Sequence, residues 1–471
     1  MKNNKSGKSG VFIVLLAAII LIVLVPWFFL ISGILERNDV SDLIGEFSLS
    51  STGAEAEEPD DEMPLDELLE DETAPTPEPE PVVEDDPVLP LDDKVLRIAD
   101  LFPELQSRLD DITARQNSVS TSLVVFDGVA GEFFTYVHGY ADLDARQPAN
   151  IYTKYRVASL SKITTAICAM VLVDEGLIDL DADISIYLGY EAKNPNYPEV
   201  MITTRMLLQH TASFFDSGAF QVSRDRHSSE SVRELIELET SFRRNHPGTV
   251  FEYTNFGYAV LGAVIENVAR KTLDAYAGEV LFGPLGINAA YVPANLEDTE
   301  NIAALYDNRH IEVHSLQSQL DVPESNITGH DLHLAQGNLT ISVIDYARVL
   351  AMLGNGGMLR DVRILSREAV MVMHNTNVVG TTYRQGLGIR YSVGDFMPGM
   401  SFYWHTGSAY NLFAQFVYNT ESGANRGVVA VTTGVTTERE PSGLLTVCNE
   451  LSTTAWRAIF NSDNTHEEPD Y

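Results

Sequence analysis

The sequence predicts an α+β protein: an antiparallel sheet built from both ends of a folded region, flanked by helices, with a mostly α-helical insertion and one transmembrane helix in front. Three observations predict it. Strand-like runs cluster near residues 122–138 and again near 401–433, and about 250 mainly helical residues separate the two clusters. A run of 25 residues without a charge, 11–35, precedes both.

The N-terminal tail, residues 1–10, carries Lys2, Lys5 and Lys8 and no acid. At helical rise, 11–35 is long enough to cross a hydrocarbon core of about 30 Å. No small-x-small cleavage site follows it, so it reads as an uncleaved signal-anchor. Lysines on its N-terminal side keep that end in the cytoplasm, which predicts a single-pass protein of the cell membrane with everything downstream outside the cell. Residues 36–94 read as a disordered linker. Between Ala54 and Asp93 it has 18 acidic residues, no basic ones and eight prolines, and both like charge and proline oppose compaction. The folded domain is expected over 95–462, followed by a polar tail, 463–471.

Within the domain, Val95–Ala114 reads as one amphipathic helix. Strands follow at Ser122–Phe126 and Glu132–His138, joined by a turn at Asp127–Gly131. Three more, Ser401–Thr406, Asn411–Tyr418 and Arg426–Thr433, are separated by Gly, Asn and Ser turns, and a helix over Gly443–Phe460 closes the domain.

Charge excludes one class of partner. With 31 Lys plus Arg against 67 Asp plus Glu, the net charge is −36, and binding a nucleic acid needs a basic footprint. The two cysteines, Cys168 and Cys448, rule out a disulfide scaffold and read as small buried hydrophobes. His310 and His314 have a metal-like spacing, with His330 and His333 nearby, but the surrounding pattern is not helical and lacks a frame of carboxylates; no metal is expected. Asn326 and Asn338 head glycosylation sequons.

Chemistry concentrates in three places. In Tyr155–Arg–Val–Ala–Ser–Leu–Ser–Lys162, Ser159 and Lys162 share a helical face at the start of an apolar run, Ile163–Val173, that Gly176 ends. That run is apolar all round, so a lysine at its head is costly unless it has work to do. A desolvated amine beside a serine hydroxyl can help activate it as a nucleophile. Alone, Ser-x-x-Lys is far more often an N-cap serine followed by a snorkelling surface lysine. The second place is Glu252–Tyr253–Thr254–Asn255, where Asn255 is expected to cap a helix starting at Phe256 and Tyr253 stands at a loop edge. The third is Trp404–His405–Thr406–Gly407–Ser408, a strand end offering an imidazole, a hydroxyl and a glycine that lets a substrate backbone approach.

Ser-x-x-Lys, Tyr-x-Asn and His-Thr-Gly in that order resemble the serine β-lactamase/penicillin-binding-protein superfamily, nearest the branch holding class C β-lactamases, DD-carboxypeptidases and related esterases. Gly139–Tyr–Ala–Asp142, Leu207–Leu–Gln–His–Thr211, Leu339–Thr–Ile–Ser–Val–Ile–Asp–Tyr–Ala347 and Gly386–Leu–Gly388 add to the resemblance, which spans about 95–460. It implies a β-lactamase/transpeptidase-like fold and an acyl-enzyme on Ser159, with Lys162 and Tyr253 sharing the proton work. Asn255, His405, Thr406, Gly407 and Ser408 would bind substrate, the backbone N–H groups of Ser159 and Ser408 would form the oxyanion hole, and no cofactor is required. Two positions depart from the pattern. His405 replaces the lysine of most β-lactamases, and Ala212–Ser213 replaces the usual Ser-Gly, with His210 expected to be a scaffold residue. The implied substrates are small peptides, esters or β-lactams, including peptidoglycan stem peptides. A DD-peptidase-like hydrolase leads; a β-lactamase, an esterase or a penicillin-binding module without turnover are the alternatives.

Overall fold

The computed structural model describes residues 93–221, 232–322, 333–380 and 382–460. The apolar run 11–35, nearly all of the acidic linker and the tail 463–471 lie outside them. No helix among the described residues is long and apolar enough to cross a membrane.

A central sheet organises the domain. Its main strands are β1 (Lys94–Arg97), β2 (Ser120–Asp127), β3 (Glu132–Asp142), β4 (Arg390–Val393), β5 (Ser401–Ala409), β6 (Leu412–Asn419) and β7 (Arg426–Thr433). They lie in the order β1-β3-β2-β7-β6-β5-β4, extended beyond β4 by two-residue strands at Arg384–Gln385 and Val378–Val379. Strand β2 from the first cluster pairs with β7 from the second over eight residues, Ser120↔Thr433 to Asp127↔Arg426. The sheet is therefore assembled from both ends of the domain, as the two clusters predict.

Two expectations need correction. The sheet is mixed rather than wholly antiparallel, because β1 runs parallel to β3. Nor is Val95–Ala114 a single helix: the chain forms β1, a short turn of helix at Ile98–Leu101, and then α1 (Pro103–Arg115). Proline has no N–H to donate and pushes the preceding residue out of helical geometry. Phe102 accordingly sits at φ −133°, ψ 66°. Regular structure begins with β1 at Lys94, at the edge of the expected domain. Asp93, counted with the linker, has a side chain only 1% exposed, ion-paired with Arg348 (2.7 Å) and Arg360 (2.5 Å).

Both faces of the sheet are covered, which is why the central strands read as almost continuous apolar runs. Leu123 and Val125 of β2, with Val428 and Ala430 of β7, pack towards α1 and the closing helix α5 (Thr446–Phe460). Their neighbours Val124, Phe126, Val429 and Val431 face the helical insertion. That insertion contains α2 (Ser161–Asp174), α3 (Asn255–Ala269) and α4 (Val343–Gly354). Helix α2 is buried from Ser161 through Leu172, as its lack of a polar face requires. Cys168 and Cys448 are buried free thiols.

Candidate active site

The site forms where the insertion meets the inner end of β5. Ser159 lies in a single 3-10 turn, Ala158–Leu160, directly ahead of α2. Ala158 adopts φ 50°, a left-handed conformation that a residue with a Cβ accepts only when its surroundings impose it. The turn leaves the Ser159 side chain in a cavity of about 350 Å³ also lined by Asn255, Gln336 and Ser408.

Lys162, one turn along α2, is fully buried. It is neither a surface lysine nor a snorkelling one. Its three ammonium hydrogens have three acceptors: Gln336 O at 2.6 Å, Asn255 Oδ1 at 2.9 Å and Ser159 Oγ at 3.3 Å. Tyr253 completes the triangle, its hydroxyl donating to Ser159 Oγ at 2.9 Å while its ring centre lies 5.0 Å from Lys162 Nζ. Burial pulls Lys162 below the ordinary lysine range, although Tyr253 and Asp216 act against it. Burial pushes Tyr253 up, but the charges of Lys162 and Arg390 overcome this and the phenol ends below its ordinary value. The two groups lie close enough to each other and to Ser159 Oγ for their protonation states to depend on one another.

Asn255 is not the helix cap. Thr254 takes that place, its hydroxyl accepting from Gly257 N, while Asn255 is the first residue of α3. The position is filled differently because Asp216 supplies the missing acceptors. Its Oδ1 takes hydrogen bonds from the N–H groups of Asn255 and Phe256, both at 2.8 Å, and from Thr254 Oγ1 at 2.7 Å. Its Oδ2 takes Asn255 Nδ2 at 2.9 Å. A carboxylate at a helix N-terminus is favourable on its own. Here it also frees the Asn255 amide to hold Lys162. Neither Asp216 nor Gln336 stands out in the sequence, because both act across long chain separations and belong to no periodic pattern.

The third motif arrives on β5. Gly407 presses against the nucleophile turn: a Cβ there would stand 2.5 Å from Val157 O and 3.3 Å from Ser159 N. This glycine is needed for contact between two parts of the protein, not only for approach of a substrate. Ser408, the next residue, shares the cavity with Ser159. His405 differs from expectation. It is 2% exposed, its Nδ1 lies 2.8 Å from Thr406 O, and burial, with Arg390 and Lys162 nearby, holds it well below the usual histidine range. A neutral ring that does not line the cavity supplies no positive charge to substrate. The nearest cation to that motif is Arg439, which donates to Thr406 Oγ1 at 2.8 Å and to Gly443 O at 2.6 Å.

His210 is a scaffold residue. Its Nδ1 accepts from Thr254 N at 3.3 Å, its ring centre lies 4.4 Å from that of Tyr253, and burial keeps it neutral. Gly388, at φ 74°, lets its loop settle on α2, where a Cβ would meet Ala166 Cβ at 2.7 Å. His310 and His314 are used separately, the first bonding Asn117 O and the second stacked on Tyr410. The sequon at Asn338 is not a surface site: the residue is 4% exposed, accepts from Arg156 and donates to Tyr291 O. Asn326 and His330 lie outside the described residues.

Known proteins carry the same arrangement of chain. The chain is similar to Protein flp of Staphylococcus aureus (strain MRSA252), 27% identical over 178 residues, covering 37% of this chain and 35% of that protein. It is also similar to Penicillin-binding protein 4* of Bacillus subtilis (strain 168), 26% identical over 215 residues, covering 44% and 46% respectively. The chain thus spans a third to a half of the length of these curated relatives. In fold it resembles the D-amino acid amidase of Ochrobactrum anthropi SV3, with a TM-score of 0.60 at 21% identity, covering 78% of this chain and all of that one. It likewise resembles the β-lactamase/D-alanine carboxypeptidase of Pseudomonas syringae, with a TM-score of 0.59 at 17% identity and the same coverage. A family profile described as Beta-lactamase matches residues 105–446, most of the chain and all three motifs. The chain belongs to the Beta-lactamase family.

Proposed function

We propose that the protein is a membrane-anchored, extracytoplasmic serine hydrolase that works through an acyl-enzyme on Ser159, with D-amino-acid peptides of the DD-carboxypeptidase type as substrates. One observation carries the chemistry: Ser159 Oγ lies within hydrogen-bond reach of both Tyr253 and Lys162, and the lysine is fully buried. A nucleophile and a paired base at that spacing are what acyl transfer needs.

In this reading the Lys162–Tyr253 pair takes the Ser159 proton as Oγ attacks the substrate carbonyl. The oxyanion is held by the N–H groups of Ser159 and Ser408, and the leaving amine recovers the proton from the pair. Water then attacks the acyl-enzyme with the same pair as base, regenerating Ser159 and releasing the acid. A substrate carboxylate on the leaving side would gain no charge from His405, because His405 is buried and neutral. That neutrality also supports a second reading, an esterase or amidase that needs no substrate carboxylate. The single-pass anchor and cell-wall location rest on the apolar run 11–35 and the acidic linker alone.

The test uses the full-length chain with a fluorescent penicillin and a fluorophosphonate. Both should label Ser159, and Ser159→Ala should abolish labelling. No label at Ser159 from either probe would rule out the nucleophile. Comparing a D-Ala-D-Ala peptide with its C-terminal amide separates the two readings: a carboxypeptidase prefers the free acid, an esterase or amidase does not.

A further inference from the structure

The cavity of about 350 Å³ beside Ser159 has room for far more than a reacting carbonyl. Its walls also include Arg156, His314, His333, Asn338 and Tyr410, but neither Tyr253 nor Lys162. That pair returns the proton to the leaving atom in the acyl-enzyme reading above, on which this inference rests. The leaving group therefore departs towards Tyr253, and the cavity keeps the part of the substrate that stays joined to Ser159.

The lining runs against the charge of the chain. The sequence has 67 Asp plus Glu and 31 Lys plus Arg. Yet the described residues that line the cavity bring one guanidinium and two imidazoles and no carboxylate. Arg156 is only 9% exposed, so little solvent screens its charge.

The guanidinium is also fixed in place. Asn338 donates through Nδ2 to Tyr291 O at 2.7 Å, which turns its Oδ1 towards Arg156 Nε, again at 2.7 Å. The guanidinium carbon lies 5.1 Å from the centre of the Tyr410 ring, and His314 stacks on that same ring at 4.3 Å and 22°. Tyr410 and Asn411 form the turn between β5 and β6 at φ 50° and 55°, left-handed values that side chains keep only under constraint. The turn just after Ser408 thus carries the ring on which Arg156 rests.

We propose that this cavity selects acyl groups bearing a carboxylate of their own, and that Arg156 is the residue that recognises it. A planar guanidinium fork matches a carboxylate, and one already held by Asn338 and Tyr410 needs little further ordering on binding. The substrates are then anionic on the side retained by the enzyme, as half-esters of short diacids or as peptides with an acidic group ahead of the scissile bond.

The experiment measures kcat/KM of the full-length chain in two arms. The first uses p-nitrophenyl esters of adipic, hexanoic and 6-aminohexanoic acids, which end in a carboxylate, a methyl and an ammonium. The second carries the same three acyl groups on D-Ala-D-Ala. In at least one arm the carboxylate should lead the neutral group by about tenfold or more, with the ammonium behind both. The arm in which it leads tells diacid from peptide.

Arg156→Gln and Arg156→Met should bring the carboxylate-to-neutral ratio in that arm close to one. The ratio is taken within each protein, so a general loss of activity does not imitate the effect. Wild type without that order in either arm overturns the proposal, as does an unchanged ratio in the folded variants. Should neither variant fold, Tyr410→Leu, at an exposed turn, reads the same ratio: it should fall, and an unmoved ratio overturns the assignment. Turnover that is absent from wild type, or that survives Ser159→Ala, defeats the acyl-enzyme reading as well. Ser159-dependent turnover without the carboxylate preference defeats this inference alone.

Discussion

Asp216 grips Asn255 twice, through the backbone N–H and through the side-chain Nδ2, so the Asn255 Oδ1 can only face Lys162. Two hydrogen bonds from one carboxylate settle which way the amide points and tie the start of α3 to the loop carrying Asp216. Catalytic geometry and helix entry therefore depend on the same side chain.

Substituting Asp216 should damage both. Asp216→Ala strips four donors of their acceptor, and each charge-assisted bond is worth about 1.5–3 kcal/mol. Acylation of Ser159 should fall at least about tenfold with a lowered melting temperature. Asp216→Asn should retain more stability than activity, since an amide cannot accept from all four donors. Parallel melting curves and labelling rates read the difference.

Lys162→Met should separate activity from stability in the opposite sense. Acylation should drop by roughly a thousandfold or more, as expected when a nucleophile loses its activating partner. Stability should hold or rise, because a buried charge has been replaced by an apolar chain of similar length. Urea unfolding of the two proteins at neutral pH is the measurement.

Gly407→Ala should lose activity without touching a catalytic side chain. The added methyl meets Val157 O at 2.5 Å, so β5 and the nucleophile turn must part. Overpacking of this kind costs about 1–3 kcal/mol. Labelling of Ser159 should fall while Arg439→Ala, at the far side of the same motif, leaves labelling by an uncharged ester intact.

His374 should make the domain sensitive to acid. Burial lowers it to about 4 in the folded protein, against 6.5 when exposed. Between these values the unfolded chain binds a proton that the folded one refuses, so stability rises with pH across that window. The contribution is complete above about 6.5 and is lost as pH falls towards 4. His374→Gln should flatten this part of the curve of unfolding free energy against pH.

The folded boundary yields a practical prediction. Asp93 is the acid shared by Arg348 and Arg360, and removing one partner of a buried ion pair costs about 3–5 kcal/mol. A chain truncated to begin at Val95 should melt well below one beginning before Asp93. Equal melting temperatures would show that the pair contributes nothing.

The sequence made the sheet and the three motifs legible for a physical reason. The almost continuous apolar runs of β2, β6 and β7 report burial on both faces directly, and Lys162 at the head of an apolar helix is a local anomaly. What it hid was tertiary. Asp216 sits in a loop with no periodicity, Gln336 acts through its carbonyl, which every residue possesses, and Arg390 looks like any charge in a strand until the rings of Tyr253, Tyr383 and Trp404 close around it. The break in the first helix was visible in Pro103 but was outweighed by the amphipathic pattern around it. His405 shows the converse: its place in the motif was clear, while its burial depended on β6 and the rings behind it.

The pairing of β2 with β7 also constrains how the protein comes into being. Ser120–Asp127 is made well before its hydrogen-bonding neighbour Arg426–Thr433, which follows roughly three hundred residues later. Until then, one edge of β2 has no partner, and the Ser159 turn has no β5 to lean on. Contacts so distant in sequence fold slowly and leave strand edges open to other chains. Ser159 is therefore translated well before the strand its turn leans on, and its surroundings are complete only once β5 and β7 have emerged.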